Sequence, residues 1–210
     1  MSRSSGRDVL TLYDYLDSGN AYKVRLILHH LDIPYRRVEL DIDKGETRTP
    51  GFLARNPNGR VPTLALEDGT HLAESNAILC YLAEGSPYLP ADRLAHAQVL
   101  QWLFFEQYSH EPYVATPRYI IRHLGRDHPR AAELPARTEK GREALRVMES
   151  HLARRQFFVG ERHTVADIAL YAYTHVAHEA DIDLAPYSQV RAWLARVASQ
   201  PRHIPITYAA

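Results

Sequence analysis

The chain has 210 residues, with 25 Lys and Arg against 25 Asp and Glu, so its formal net charge is zero. A chain of this length makes one or two domains, buries roughly 70% of its unfolded surface and needs no staples. The balanced charge gives no electrostatic ground for nucleic acid or an anionic membrane as a partner. A single cysteine, Cys80, excludes an internal disulfide, a CxxC redox pair and a cysteine-based zinc site. Residues 1–8 are polar and lack the apolar segment of a secretory signal. No apolar run approaches the ~20 residues of a membrane span, so a cytoplasmic location is expected.

Turns are frequent early and sparse later: seven of the ten glycines fall at or before Gly85. Leu10–Tyr13 is a short apolar run suited to a buried strand. From Asn20 to Leu31, Val24, Ile27, Leu28 and Leu31 recur at helical spacing, which predicts an amphipathic helix. Tyr35–Ile42 alternates around Val38, Leu40 and Ile42, a second strand after the breaker Pro34. A short helix is predicted near Phe52–Arg55. The apolar runs Pro62–Leu66 and Thr70–Ala73 flank Asp68-Gly69, a hairpin signal. Ser75 opens a helix with Ile78, Leu79 and Leu82 on its apolar face. The order is β-α-β-α-β-β-α, and Gly85 to Pro90 reads as a linker.

Beyond Ala91 the pattern holds no strand. Helices are predicted over Leu94–Tyr108, Arg137–Leu152, Thr164–Ala177 and Val190–Ala198, each with one apolar face. Pro112 and Pro117 should kink or break the first of these where it passes Glu106–Tyr113. The expected architecture is therefore a small α/β domain over 9–86 and an all-α domain over 91–210.

Arg60-Val61-Pro62 stands just before a strand. Such a proline starts an edge strand, forms a turn or is cis, the last in only about 5–6% of X–Pro bonds. Position alone favours the edge-strand start, and the surrounding elements shift the balance toward cis. Asn56-Pro-Asn-Gly-Arg-Val-Pro62, Glu74-Ser75-Asn-Ala-Ile-Leu-Cys-Tyr-Leu82 and Thr164-Val-Ala-Asp-Ile168 occur in this order over roughly residues 9–200. Together they resemble the cytosolic glutathione transferases, in particular bacterial serine-class, theta-like or Nu-class members. The resemblance implies a thioredoxin-like domain with a cis Pro62, followed by a helical domain that carries a capping box at Thr164 and Asp167. It also implies glutathione as co-substrate, no metal, and a homodimer.

The same resemblance distributes roles among the residues. Val61 would pair its backbone with the cysteinyl part of glutathione, as an added strand does. Glu74 would hold the α-amino group, and Ser75 with the free helix N–H groups the α-carboxylate. Arg60 and Arg48 would meet the glycyl carboxylate, with Thr47 beside them. Ser18 resembles the catalytic serine of the serine classes, and Ser18-Gly-Asn20 the Thr-x-Asn of the Nu class. A helix N-terminus with such donors stabilises a thiolate. Tyr13 and Tyr15 are the alternatives, because other classes use a tyrosine after the first strand. Tyr15, Tyr108, Tyr113 and Arg118 are candidate liners of the second-substrate pocket.

Several of these residues also have ordinary structural explanations. Ser18 and Ser75 suit plain helix caps, and Arg48, Arg60 and Glu74 suit a solvated surface. The 12 histidines are scattered; His175 and His178 are the closest helical pair and offer no third ligand. They read as solvated surface residues, and His29-His30 as partly solvent-facing. Cys80 reads as a buried, inert thiol. His163 stands before Thr164 where an apolar staple residue is usual. The implied function is conjugation of the glutathione thiolate to a small electrophile. The rivals are a glutathione-dependent disulfide reductase or peroxidase at the same site, acting on a small disulfide, and a non-catalytic binding module.

Overall fold

A computed structural model describes residues 9–209. They group into two compact units: the residues through Leu82 with those from Pro205 onward, and Ala83–Ile204. The second unit therefore ends before the predicted helical domain does, because the last residues return to the first unit. The reading of residues 1–8 lies outside the described residues. No described helix is long and apolar enough to cross a membrane.

The first unit is a four-stranded mixed sheet with helices, a thioredoxin-like arrangement. Its elements are β1 (Leu10–Asp14), α1 (Gly19–His30), β2 (Tyr35–Glu39), α2 (Pro50–Leu53), β3 (Thr63–Ala65), β4 (His71–Ala73) and α3 (Ser75–Ala83). The strand order is β2-β1-β3-β4, with β1 parallel to β2 and the other pairs antiparallel. A parallel pair needs a crossover, which α1 supplies. The β3–β4 connection is the Asp68-Gly69 turn, where Gly69 takes φ 84°. Leu12, Val24, Leu28, Leu64 and Ile78 form the core, one or two from each of β1, α1, β3 and α3. Strand β2 stops three residues short of the predicted Ile42, though Leu40 N–H still donates to Asp14 O at 2.8 Å.

Helix α1 departs from the amphipathic expectation. Its charged residues Lys23 and Arg25 are fully buried, and His30, expected to face solvent in part, is buried as well. Arg25 Nε lies 3.2 Å from Asp14 Oδ2, with both side chains 0% exposed. Arg37 also pairs with Asp14. Arg25 Nη1 donates to Ile206 O and Tyr208 O, each at 2.8 Å, and Nη2 donates to Leu16 O at 2.7 Å. Burial lowers the Arg25 pKa while Asp14 raises it. A buried guanidinium needs this many acceptors to offset lost hydration.

The second unit is helical: α4 (Arg93–Phe105), α5 (Glu111–Tyr119), α6 (Leu134–Leu152), α7 (Val165–Thr174) and α8 (Ser188–Ala198). Pro112 and Pro117 do not break the chain of helix. The α4–α5 run continues through π-helical turns at Glu106–His110 and Ile120–Leu124. There Glu111 N–H donates to Glu106 O and Gly125 N–H to Ile120 O, five residues back. The wider turn before Pro112 shifts the hydrogen-bond ladder just where proline removes a donor. The Tyr113 ring lies on this run, with Lys140 Nζ 5.1 Å from its centroid.

Thr164 and Asp167 form the predicted capping box of α7. The Asp167 carboxylate is fully buried and accepts from Thr164 N at 2.9 Å, Phe158 N at 3.1 Å and Trp193 Nε1 at 2.9 Å. Burial nevertheless pushes its pKa up to about 6. His163 is buried rather than solvated, packing its ring edge-on to Tyr88 and against Phe157. It occupies the place of an apolar staple. His110 is buried too, with Nε2 2.9 Å from Thr174 Oγ1. The surface reading of the histidines thus fails at His30, His110 and His163; a polar partner accommodates the ring of His110 and aromatic packing that of His163. Cys80 is half-buried rather than buried, because it lies off the face of α3 that carries Ile78 and Leu79.

Candidate functional site

The N-termini of α1 and α3 meet in the first unit. Ser18 caps α1 with extended backbone (φ −75°, ψ 117°), and its Oγ accepts from Ala21 N–H at 3.2 Å. A hydroxyl that accepts still has its own proton to donate. Asn20 follows in the first turn, and its Oδ1 accepts from Ser75 Oγ, the first residue of α3, at 3.3 Å. Lys23, one turn further along α1, donates from Nζ to Ser75 Oγ and to Asn76 Oδ1, each at 3.3 Å. Two helix N-termini and a buried ammonium thus share one small region. Each helix end contributes unpaired N–H groups and partial positive charge. The arrangement is suited to anionic groups.

Glu74 precedes Ser75 with φ 66°, left-handed backbone that a residue with a Cβ adopts at a cost of roughly 1–2 kcal/mol. Its carbonyl accepts from Ile78 N–H at 3.0 Å, so it begins the α3 ladder. Its side chain is exposed. A strained residue of this kind, beside a cluster of anion-attracting groups, is a common mark of a binding site.

The Val61–Pro62 peptide is cis. The loop before it is held by Asn56, which is 4% exposed. Asn56 Nδ2 donates to Arg60 O at 2.9 Å and to Thr63 Oγ1 at 3.0 Å, and Oδ1 accepts from Asn58 N–H at 3.0 Å. Gly59 takes φ 61°, and a Cβ there would lie 2.9 Å from Thr47 O and 2.6 Å from Arg48 Nη1. Thr47 is buried, while Arg48 is exposed and donates from Nη1 to Asn58 O at 2.9 Å. The Arg48 side chain therefore braces the loop. Arg60 is exposed; its carbonyl serves Asn56 and Thr63.

Tyr13 and Tyr15, the tyrosine alternatives, are both half-buried. Tyr13 packs edge-on to Phe52 with ring centroids 5.7 Å apart, and Arg55 lies 5.3 Å from its ring. Burial raises the Tyr15 pKa, and Asp43, which hydrogen-bonds the phenol, Asp17 and Asp41 raise it further. In the second unit Tyr108 is 84% exposed and Tyr113 half-buried. Arg118 is buried and donates from Nε to Glu179 Oε2 at 2.6 Å, an ion pair that Arg122 joins at 3.4 Å. Its guanidinium is engaged in helix packing.

Asn56 and Asn76 lie inside the sequence motifs, but the patterns assign no role to them or to Lys23. Lys23 carried one usable signal, its i, i+3 spacing from Asn20, which puts both on one helix face. Among the described residues no three His, Cys, Asp or Glu side chains gather as a metal site would require.

Comparison with known proteins gives a consistent picture. Residues 8–84 match the family model described as glutathione S-transferase, N-terminal domain, and residues 102–201 the C-terminal domain model. A glutathione S-transferase structure from Pseudomonas fluorescens superposes with a TM-score of 0.92 at 50% identity, covering 94% of this chain and 98% of that one. The disulfide-bond oxidoreductase YfcG of Escherichia coli is 30% identical over 201 residues, 92% of each chain. Ure2p in complex with glutathione superposes with a TM-score of 0.84 at 26% identity, covering 95% of this chain and 93% of that one.

Proposed function

The chain belongs to the glutathione S-transferase family, and we propose that it binds glutathione on its first unit and transfers the thiolate sulfur to a small electrophile. The observation that carries this reading is the junction of Asn20 with Ser75, where two helix N-termini share one anion-attracting region. In this reading Ser75 and the α3 N–H groups take the γ-glutamyl α-carboxylate, and Glu74 takes the α-amino group. The Val61 backbone pairs with the cysteinyl residue. Arg60 and Arg48 lie toward the glycyl carboxylate, beside Thr47. Ser18 and Asn20 donate to the sulfur. Their hydrogen bonds and the α1 dipole favour thiolate over thiol, so the nucleophile is present at neutral pH. The thiolate attacks the electrophilic carbon, and the leaving group departs with the electron pair of the broken bond. A cytoplasmic homodimer is part of the same proposal.

Asn20 favours a second reading, in which the same thiolate attacks a disulfide. One sulfur is captured as a glutathione mixed disulfide and the other leaves as a thiol. A second glutathione resolves the mixed disulfide and is itself oxidised. The 30% identity with a disulfide-bond oxidoreductase supports this alternative. Turnover of a chloronitroarene against turnover of a small mixed disulfide separates the two reactions. Tight glutathione binding with neither turnover would leave a non-catalytic binding protein. Failure to bind immobilised glutathione would overturn all three.

A further inference from the structure

The buried Arg25 guanidinium does more than balance Asp14. Its Nε faces Asp14 Oδ2, Nη1 donates to the carbonyls of Ile206 and Tyr208, and Nη2 donates to Leu16 O at 2.7 Å. Leu16 N–H in turn donates to Glu39 Oε1 at 2.9 Å. Both backbone polar groups of Leu16 are therefore held by charged side chains, in bonds stronger than neutral pairs. Leu16 lies inside the turn that delivers Ser18: Ser18 N–H donates to Tyr15 O at 2.8 Å, and Ser18 O accepts from Tyr22 N–H at 2.9 Å. A plain core staple between Arg25 and Asp14 would use Nε alone. The other two nitrogens tie the segment Pro205–Tyr208 to the turn before α1. That segment is seated by the Tyr208 ring, edge-on to His29 with centroids 5.0 Å apart. Because the fork is planar and rigid, it cannot turn away from the segment's carbonyls without also turning Nη2 from Leu16 O.

We propose that Arg25 is a positioning residue through which the segment Pro205–Tyr208 controls the thiol end of the site. The carbonyls of Ile206 and Tyr208 fix the plane of the guanidinium, the guanidinium fixes the Leu16 peptide, and the Leu16 peptide fixes where Ser18 Oγ points. The proposal rests on the glutathione reading above and deepens it by naming what regulates the serine: a segment 181 to 183 positions beyond Arg25 in the chain. Arg25 acts through Leu16 and not on the ligand. The α3 N-terminus and the Val61 loop are untouched by it. Loosening the segment therefore falls on ionisation of the bound thiol and leaves the affinity for glutathione largely intact.

The test uses Arg25→Lys and Tyr208→Ala, each in the wild type and in a Ser18→Ala background. The thiol pKa of bound glutathione is read from thiolate absorbance in the ultraviolet. Lysine keeps a charge beside Asp14 but cannot fork to the segment and to Leu16 O together. Arg25→Lys is expected to raise the bound thiol pKa by about one unit, up to a tenfold loss of thiolate at neutral pH. The KM for glutathione should stay close to that of the wild type. Tyr208→Ala removes the ring that seats the segment and should raise the pKa by a smaller amount. In the Ser18→Ala background neither substitution should add a further rise, because both act on the one serine. A folded Arg25→Lys that unfolds more easily but keeps the wild-type thiol pKa overturns the proposal, as does an equal rise in both backgrounds. If Arg25→Lys does not fold, Tyr208→Ala carries the same comparison, and a wild-type thiol pKa there overturns it. Failure of the glutathione reading is distinguishable, because the wild type itself would then not bind glutathione.

Discussion

Ser75 Oγ donates to Asn20 Oδ1 across 3.3 Å although the two residues are 55 positions apart, and this bond joins the two helix starts of the candidate site. Its neighbour Ser18 has a double task, since its Oγ already accepts from Ala21 N–H. Ser18→Ala should therefore cost about 1 kcal/mol of stability through the lost cap. If Ser18 also donates to the sulfur, loss of that charge-assisted bond should lower kcat/KM roughly 10- to 150-fold. Asn20→Ala leaves the cap intact, so its loss should fall on activity more than on stability. Urea unfolding and steady-state rates on both variants make the comparison. Wild-type thiolate formation in Ser18→Ala would remove that serine from the chemistry.

Glu74 holds left-handed backbone at φ 66° and an exposed carboxylate. Glycine adopts this backbone freely. Glu74→Gly is thus expected to leave stability unchanged or raise it by up to about 1 kcal/mol. Glutathione affinity should fall about tenfold, as for one lost charged contact. Glu74→Gln separates carboxylate from backbone: it should weaken binding without the gain in stability. Calorimetric titration and thermal unfolding read the two quantities. A glycine variant that binds normally would mean that the Glu74 carboxylate does not meet the ligand.

Asn56 makes three hydrogen bonds from a buried position and ties Arg60, Thr63 and Asn58 into one loop. Asn56→Ala should cost about 1–3 kcal/mol, the loss of one buried and two part-buried hydrogen bonds. Glutathione binding should weaken in parallel, because Val61 lies in the loop so held. Denaturant midpoints and a glutathione-affinity column report both effects.

His175 stacks on Tyr171 with ring centroids 4.7 Å apart, and burial pushes its pKa down to about 4 from the ordinary 6.5. The folded state then binds the proton less readily than the unfolded chain. Stability from this group is complete above pH 6.5 and is lost as pH falls toward 4. At pH 5 the loss is about 2 kcal/mol. Asp167, raised from 3.8 to about 6, works in the opposite direction over much of this range. The wild type alone would therefore mask both. His175→Phe keeps the stack and removes the titration. The stability of the wild type relative to this variant should drop by about 2 kcal/mol between pH 7.5 and pH 5. An unchanged difference would place the imidazole in water.

The first unit was largely legible from the sequence. Its strand and helix order follows short-range patterns, such as the hairpin at Asp68-Gly69 and the period of Val24, Ile27 and Leu28. Ser18, Glu74 and Ser75 could be singled out because their motifs are local. Lys23 and Arg25 could not be understood in this way. Lys23 is buried against Ser75, 52 positions away, and Arg25 against Ile206, 181 away. Helical periodicity marks a charged residue as solvated whatever its distant partners are. The helix does not break at Pro112 and Pro117 for a related reason. A proline reports a missing donor but not the wider π-helical turn beside it that accommodates the loss.

Arg25 gives the fold a schedule. Two of its acceptors, the carbonyls of Ile206 and Tyr208, come 181 and 183 positions later in the chain. At the ~5–20 residues per second of protein synthesis, those carbonyls follow the arginine by roughly 10–40 s. Until then a nascent first unit has Asp14 and Leu16 O for this guanidinium but lacks its final two partners. The α/β unit is translated first, but the hydrogen bonding of its buried arginine is among the last parts of the molecule to be completed.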